Sequence, residues 1–141
     1  MKKIGISAVA TAAYHGHLDI VKYLVEKGAE IGNAFWYAIS NGHLDIVKHL
    51  VEKGAEIGHA VGTAASNGHL DIVKYLVDEK GAEIGDAVGT AARNGHLDIV
   101  KYLVGEKGAH IGNAVNQAAN FGHAHIAEYL KQELAKREQN Q

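Results

Sequence analysis

The stretch GHLDIVKYLVEKGAEIG runs from Gly16 to Gly32 and returns as GHLDIVKHLVEKGAEIG from Gly42 to Gly58, with His49 the one change. It returns again as GHLDIVKYLVDEKGAEIG from Gly68 and as GHLDIVKYLVGEKGAHIG from Gly95, each with one more residue after the valine, at Asp78 and Gly105. A further Gly-His pair, Gly122-His123, completes a series whose steps are 26, 26, 27 and 27 residues. Five copies therefore cover nearly the whole chain, over about 6–31, 32–57, 58–84, 85–111 and 112–134. Self-similarity at such a period is the mark of a stacked repeat architecture, because one unit cannot bury its apolar face alone.

Each copy carries two helical signals. In the second copy Leu44, Ile46, Val47, Leu50 and Val51 recur at helical spacing. Asp45 stands in the first turn and Lys53 near the end, each on the side the helix dipole favours. Gly54 sits where a left-handed residue stops a helix. The other signal is shorter, about Asn33 to Asn41, and carries small residues four apart, Ala34 and Ala38, then Ala60 and Ala64, Ala87 and Ala91, Ala114 and Ala118. Ser7, Asn33, His59, Asp86 and Asn113 precede these runs, and most are residue types that cap a helix start. The last copy replaces Leu-Asp with Ala124-His125 and ends in a charged tail, so 124–141 reads as a polar cap. At the other end only Lys2 and Lys3 offer polarity, which predicts fraying there.

A short helix followed by Gly-His-Leu-Asp-Ile-Val-Lys-x-Leu and then Lys-Gly-Ala-Glu-Ile, as at Gly42 to Ile57, resembles the ankyrin repeat. The resemblance covers all five copies and implies an all-α solenoid of helix-turn-helix units that binds protein or peptide without catalysis. Two departures accompany it. The ankyrin unit has about 33 residues, and Asn33-Ala34-Phe35-Trp36 stands where the family has Thr-Pro-Leu-His. Matching both ends of a copy places the deletion between Ile31 and Asn33, where the family carries its β-hairpin finger. These are finger-less ankyrin-like repeats, and the surface left for binding is the exposed side of the first helices.

Composition narrows the chemistry. The 141 residues include 14 Lys+Arg, 16 Asp+Glu, 10 His, one Trp, no Cys and no Pro, for a formal charge of −2. That balance gives no general attraction to nucleic acid or anionic lipid. Without cysteine there are no disulfides, thiolate nucleophiles or cysteine zinc sites. No apolar run approaches the roughly 20 residues of a membrane span, and Gly5, Ser7 and Thr11 break up any leader after Met1-Lys2-Lys3, so a cytoplasmic protein is expected.

The repeated His17, His43, His69, His96 and His123 suggest a metal ladder. Successive copies should lie about 10 Å apart, far beyond shared ligation at about 2 Å. They read instead as turn residues bonding backbone groups, and Asp19, Asp45, Asp71 and Asp98 as first-turn acids. Lys22, Lys48, Lys74 and Lys101 form a row accompanied by acids, a solvated face rather than a phosphate track. No cofactor, metal or catalytic set is expected.

Specificity must lie where the copies differ. One column reads Val9, Phe35, Val61, Val88, Val115; the next Ala10, Trp36, Gly62, Gly89, Asn116; the third Thr11, Tyr37, Thr63, Thr90, Gln117. Consecutive helix residues point about 100° apart, so Phe35, Trp36 and Tyr37 cannot all face inward. Trp36 and Tyr37 are the expected binding anchors, beside Phe35, with Thr63, Thr90, Arg93, Asn116 and Gln117 as polar neighbours. Trp36 either walls a groove over Gly62 or, with Phe35, fills volume left by the missing finger. The partner is a protein or peptide of unknown identity, the chain a monomer. Two alternatives stand beside this reading: an engineered stack with no natural ligand, and a self-associating protein whose aromatic turn and uncapped first copy drive dimerisation.

Overall fold

The computed structural model describes residues 7–140; Lys2 and Lys3, read as the only polar cap at the start, lie outside them. Helix follows helix: α1 (Ala8–His15), α2 (Leu18–Glu26), α3 (Gly32–Ser40), α4 (Leu44–Glu52), α5 (Ala60–Ser66), α6 (Leu70–Lys74), α7 (Ala87–Arg93), α8 (Leu97–Val100), α9 (Ala114–Asn120) and α10 (Ala124–Gln139). Tyr75–Glu79 prolongs α6, and Lys101–Glu106 prolongs α8, as π-helical turns. No strand occurs among the described residues, and the class is the α-solenoid of helix-turn-helix repeats.

Two compact units divide the chain, Met1–Ala60 and Val61–Gln141. In the first, α1 packs on α2 and α3, and α4 on α2 and α3. Phe35, Ile39, Ile46 and Leu50 fill its core, each contributing about 1.5–3 kcal/mol of burial. In the second, α7 packs on α8 and α9, and α10 on α8 and α9, around Ile72, Leu76, Ile99, Leu103 and Leu130. Alanines let the first helices approach: Ala34, Ala38, Ala60, Ala64, Ala87, Ala91, Ala114 and Ala118 are all buried.

The helix ends show what the repeated residues do. Asp45, Asp71 and Asp98 each accept the N–H of the next residue through Oδ1, at 2.7, 2.8 and 2.8 Å. These acids therefore satisfy first-turn amides that the helix itself leaves unpaired. Gly54 takes φ +100°, and the Ala55 N–H reaches back to the Leu50 carbonyl at 2.9 Å, closing α4 with a left-handed cap.

The starts of the first helices depart from expectation. Ser7 caps as foreseen, accepting the Ala10 N–H at 3.2 Å. Asp86 and Asn113 stand at the cap position but their side chains make no capping bond, and Asn33 lies inside α3, which begins at Gly32. The shortened link supplies a backbone substitute. Ala60, Ala87 and Ala114 donate their N–H groups to the carbonyls of Ile57, Ile84 and Ile111 at 2.8, 3.1 and 3.0 Å. A turn this tight needs the positive φ of Gly58, Gly85 and Gly112, which is how one residue can replace a hairpin.

The extra residue of the longer copies is absorbed inside a helix. In the first copy Lys27 N–H bonds the Tyr23 carbonyl and Ala29 N–H the Leu24 carbonyl. In the third, the same groups are joined with one more residue between them, Lys80 to Tyr75 at 3.3 Å and Ala82 to Leu76 at 2.9 Å. In the fourth, Lys107 bonds Tyr102 and Ala109 bonds Leu103. A π turn inserts a residue without changing what flanks it.

Candidate binding site

Successive copies are joined by the Gly-His pair. The His43 Nε2–H donates to the Tyr14 carbonyl at 3.0 Å, His96 to Ser66 at 3.1 Å and His123 to Arg93 at 3.0 Å. Each acceptor is in the last turn of the preceding copy's first helix, where carbonyls lack intrahelical partners. Nε2 carries the proton, because a carbonyl can only accept. The expected turn role is thus refined: the backbone bonded belongs to the copy before.

The glycine is the seat. Gly16, Gly68 and Gly95 hold φ of +84°, +81° and +82°, and a Cβ there would meet the ring of His43, His96 or His123 at 2.8, 2.7 and 2.7 Å. Both the turn and the arriving imidazole therefore require glycine. Among the described residues no group of three His, Asp or Glu is placed to share a metal ion.

The second helices meet through a tyrosine. Tyr102 Oη donates to Asp78 Oδ1 at 2.6 Å, and Lys107 Nζ lies 2.9 Å from the same oxygen. Those two bonds lower the Asp78 carboxyl below its ordinary value. Burial, then the bond to Asp78, raises the Tyr102 hydroxyl. One copy later Gly105 occupies the place of Asp78, and a Cβ there would stand 2.8 Å from Tyr129 Oη. Burial and the nearby Glu133 carboxylate raise the Tyr129 hydroxyl too. Lys74 and Lys101 lie over the rings of Tyr102 and Tyr129 at 5.5 and 5.7 Å, so part of the lysine row packs on the next copy as well as facing solvent.

The aromatic turn of α3 splits by direction. Phe35 is 1 % exposed and Trp36 36 %, with their rings edge to face at 5.4 Å. Phe35 is a core side chain beneath Trp36, which removes it from the contact set. Tyr37 is half-buried, its ring edge-on to Tyr14 of α1 at 5.7 Å. Tyr14 is 48 % exposed. Trp36 and Tyr37 of α3 and Tyr14 of α1 are thus aromatic side chains that this packed helix pair leaves wholly or partly exposed. Tyr14 was missed as a site residue because its column holds Ser40, Ser66, Arg93 and Asn120; its size beside those small or polar residues was the available signal.

The polar candidates belong to the second unit. Thr90 and Arg93 lie on α7, Asn116 and Gln117 on α9, and these two helices pack together. Asn116 is exposed; Thr63 on α5, Thr90, Arg93 and Gln117 are half-buried. The Thr90 hydroxyl donates to the Asp86 carbonyl at 3.3 Å. A Cβ at Gly62 would have the Asp86 carboxylate as its neighbour, at 4.0 Å. Trp36 and Gly62 belong to different units, and a groove shared by them is an expectation of the sequence alone.

No helix among the described residues is long and apolar enough to cross a membrane. No curated protein matches the chain. The family model described as "Ankyrin repeats (3 copies)" matches residues 1–60 and 59–113. With the Gly-His joints, the paired helices and that match agreeing over most of its length, the chain belongs to the ankyrin-repeat family.

Proposed function

We propose that the chain is a non-enzymatic module that binds a protein or peptide through its first helices, with Trp36, Tyr37 and Tyr14 as anchors. Ankyrin repeats are generally protein-interaction modules, and the family is typically non-enzymatic. The observation that carries the reading is the exposure of Trp36 over a buried Phe35. An indole held on a rigid base contributes contact area while losing little side-chain freedom, which is why tryptophan and tyrosine dominate interface energetics. Asn116, Gln117, Arg93, Thr63 and Thr90 are the proposed polar contacts of the second unit, and the Arg93 guanidinium suits an acidic group on the partner.

A random-peptide display library panned against the immobilised chain tests this. Selected peptides should lose more than about tenfold in affinity on Trp36→Ala, a hot-spot-sized effect, and should be indifferent to Lys48→Ala on α4. Peptides that bind Trp36→Ala and the parent chain equally would remove the aromatic face from the proposal.

A further inference from the structure

The interface between copies is built of two halves: an arriving half lies open around His17, Ile20 and Tyr23, and a receiving half around Ala119 and Gly122. The first copy has the arriving half. His17 occupies the position of His43, His96 and His123 and is exposed. Ile20 is 49 % exposed, whereas Ile46, Ile72 and Ile99 are fully buried. Tyr23 is 58 % exposed, whereas Tyr75 and Tyr102 are buried. His17, Leu18, Asp19 and Ile20 line a shallow recess of about 350 Å³ with Gly16.

The last copy has the receiving half. Gly122 takes φ +82°, like Gly16, Gly68 and Gly95, but a Cβ there would meet nothing within 4 Å. Ala119 is exposed, whereas its counterparts Ala13, Ala65 and Ala92 are fully buried. The Asn120 carbonyl stands where those of Tyr14, Ser66 and Arg93 receive a histidine. Beside it Phe121 is 57 % exposed.

We propose that these halves dock on each other between two copies of this chain, the first copy of one seating His17 on Gly122 and Ile20 on Ala119 of the other. Charge supports this pairing over first copy against first copy. Glu128 stands where Lys74 and Lys101 lie over the next tyrosine, and Lys27 lies over the Tyr23 ring at 5.5 Å. The junction thus brings Glu128 toward Lys27, whereas two first copies would set Lys27 near Lys27. Lys131 replaces the valine of Val104, so the contact is weaker than the internal ones. Such a contact joins unlike surfaces, and growth continues past the dimer.

Sedimentation velocity on the full chain is the test, from about 5 to about 500 µM, a range that brackets a weak association. The mean mass should rise above the 15.0 kDa of one chain and pass that of two. Ile20→Glu and Ala119→Arg are surface changes on helices, and circular dichroism verifies their folding. Each variant alone should stay a single chain, because each lacks one half. Their equimolar mixture should form dimers and nothing larger, since one good junction remains between them. Three results overturn the proposal: a parent chain that stays single throughout, Ala119→Arg dimers, which would place two first copies together, or a mixture of the two variants that remains single.

Discussion

The first unit closes its second helices with ordinary α turns, and the second closes α6 and α8 with π turns. Both units keep the same joint between copies, histidine on glycine. They differ where second helices meet. In the second unit the inserted residue serves the next copy's tyrosine: Asp78 accepts the Tyr102 hydroxyl, and Gly105 leaves room for that of Tyr129. The first unit has no inserted residue. There the tyrosine position of the second copy is His49, whose Nε2 is buried without a hydrogen-bond partner. An insertion inside a helix is thus a way to place a polar group against a neighbour while leaving the joint on either side unchanged.

The shared joint should produce the largest effect. Gly95→Ala places a Cβ in a left-handed backbone, at roughly 1–2 kcal/mol, and drives the His123 ring off its seat with loss of about 1 kcal/mol of hydrogen bond. Gly122→Ala meets the first cost alone, because its seat is open. Chemical denaturation of both variants should show Gly95→Ala the more destabilised by about 1 kcal/mol or more. Equal losses would mean that the glycines serve only the turn.

His49 tests the difference between the units. Its unpaired nitrogen costs desolvation without a bond in return, so His49→Phe should stabilise the chain by about 1 kcal/mol, read from the same denaturation curves. A destabilised variant would show that the imidazole is satisfied in solution.

Tyr102 provides the smallest and most specific signal. Its hydroxyl is held above the ordinary value near 10, so the folded chain keeps a proton that the unfolded chain releases. That stabilisation is complete below about pH 10 and is lost as pH rises through the folded value. Asp78 acts at the opposite extreme: its lowered carboxyl contributes above the ordinary value near 3.9, and the contribution is lost as pH falls through the folded value. In thermal melts the parent should lose more stability than Tyr102→Phe on going from about pH 9 to about pH 11. Parallel losses would break the Asp78–Tyr102 link.

Much of this was legible in the residues. Gly54 as a helix stop, Asp45 as a first-turn acid and the inward alanines follow from local rules, and the period itself announced the stack. The cap residues misled, because Asp86 and Asn113 have the right chemistry but the isoleucine carbonyl reaches the alanine amide first. Asp78 and Gly105 were visible as extra residues, yet their length alone did not say that a helix rather than a loop would take them. The destination of each histidine was hidden, since its acceptor is about 30 positions away. Trp36 and Phe35 shared one aromatic turn, and only packing separated the anchor from its support.

Trp36, 36 % exposed beside the buried Phe35, is the side chain on which the proposed binding surface stands. As the sole tryptophan it reports on itself, through its emission maximum and its quenching by iodide. A red-shifted emission readily quenched by iodide, and protected when a selected peptide binds, is the predicted result. A blue-shifted emission that iodide does not reach would contradict it, and would make Trp36 a filler of the volume left by the missing finger.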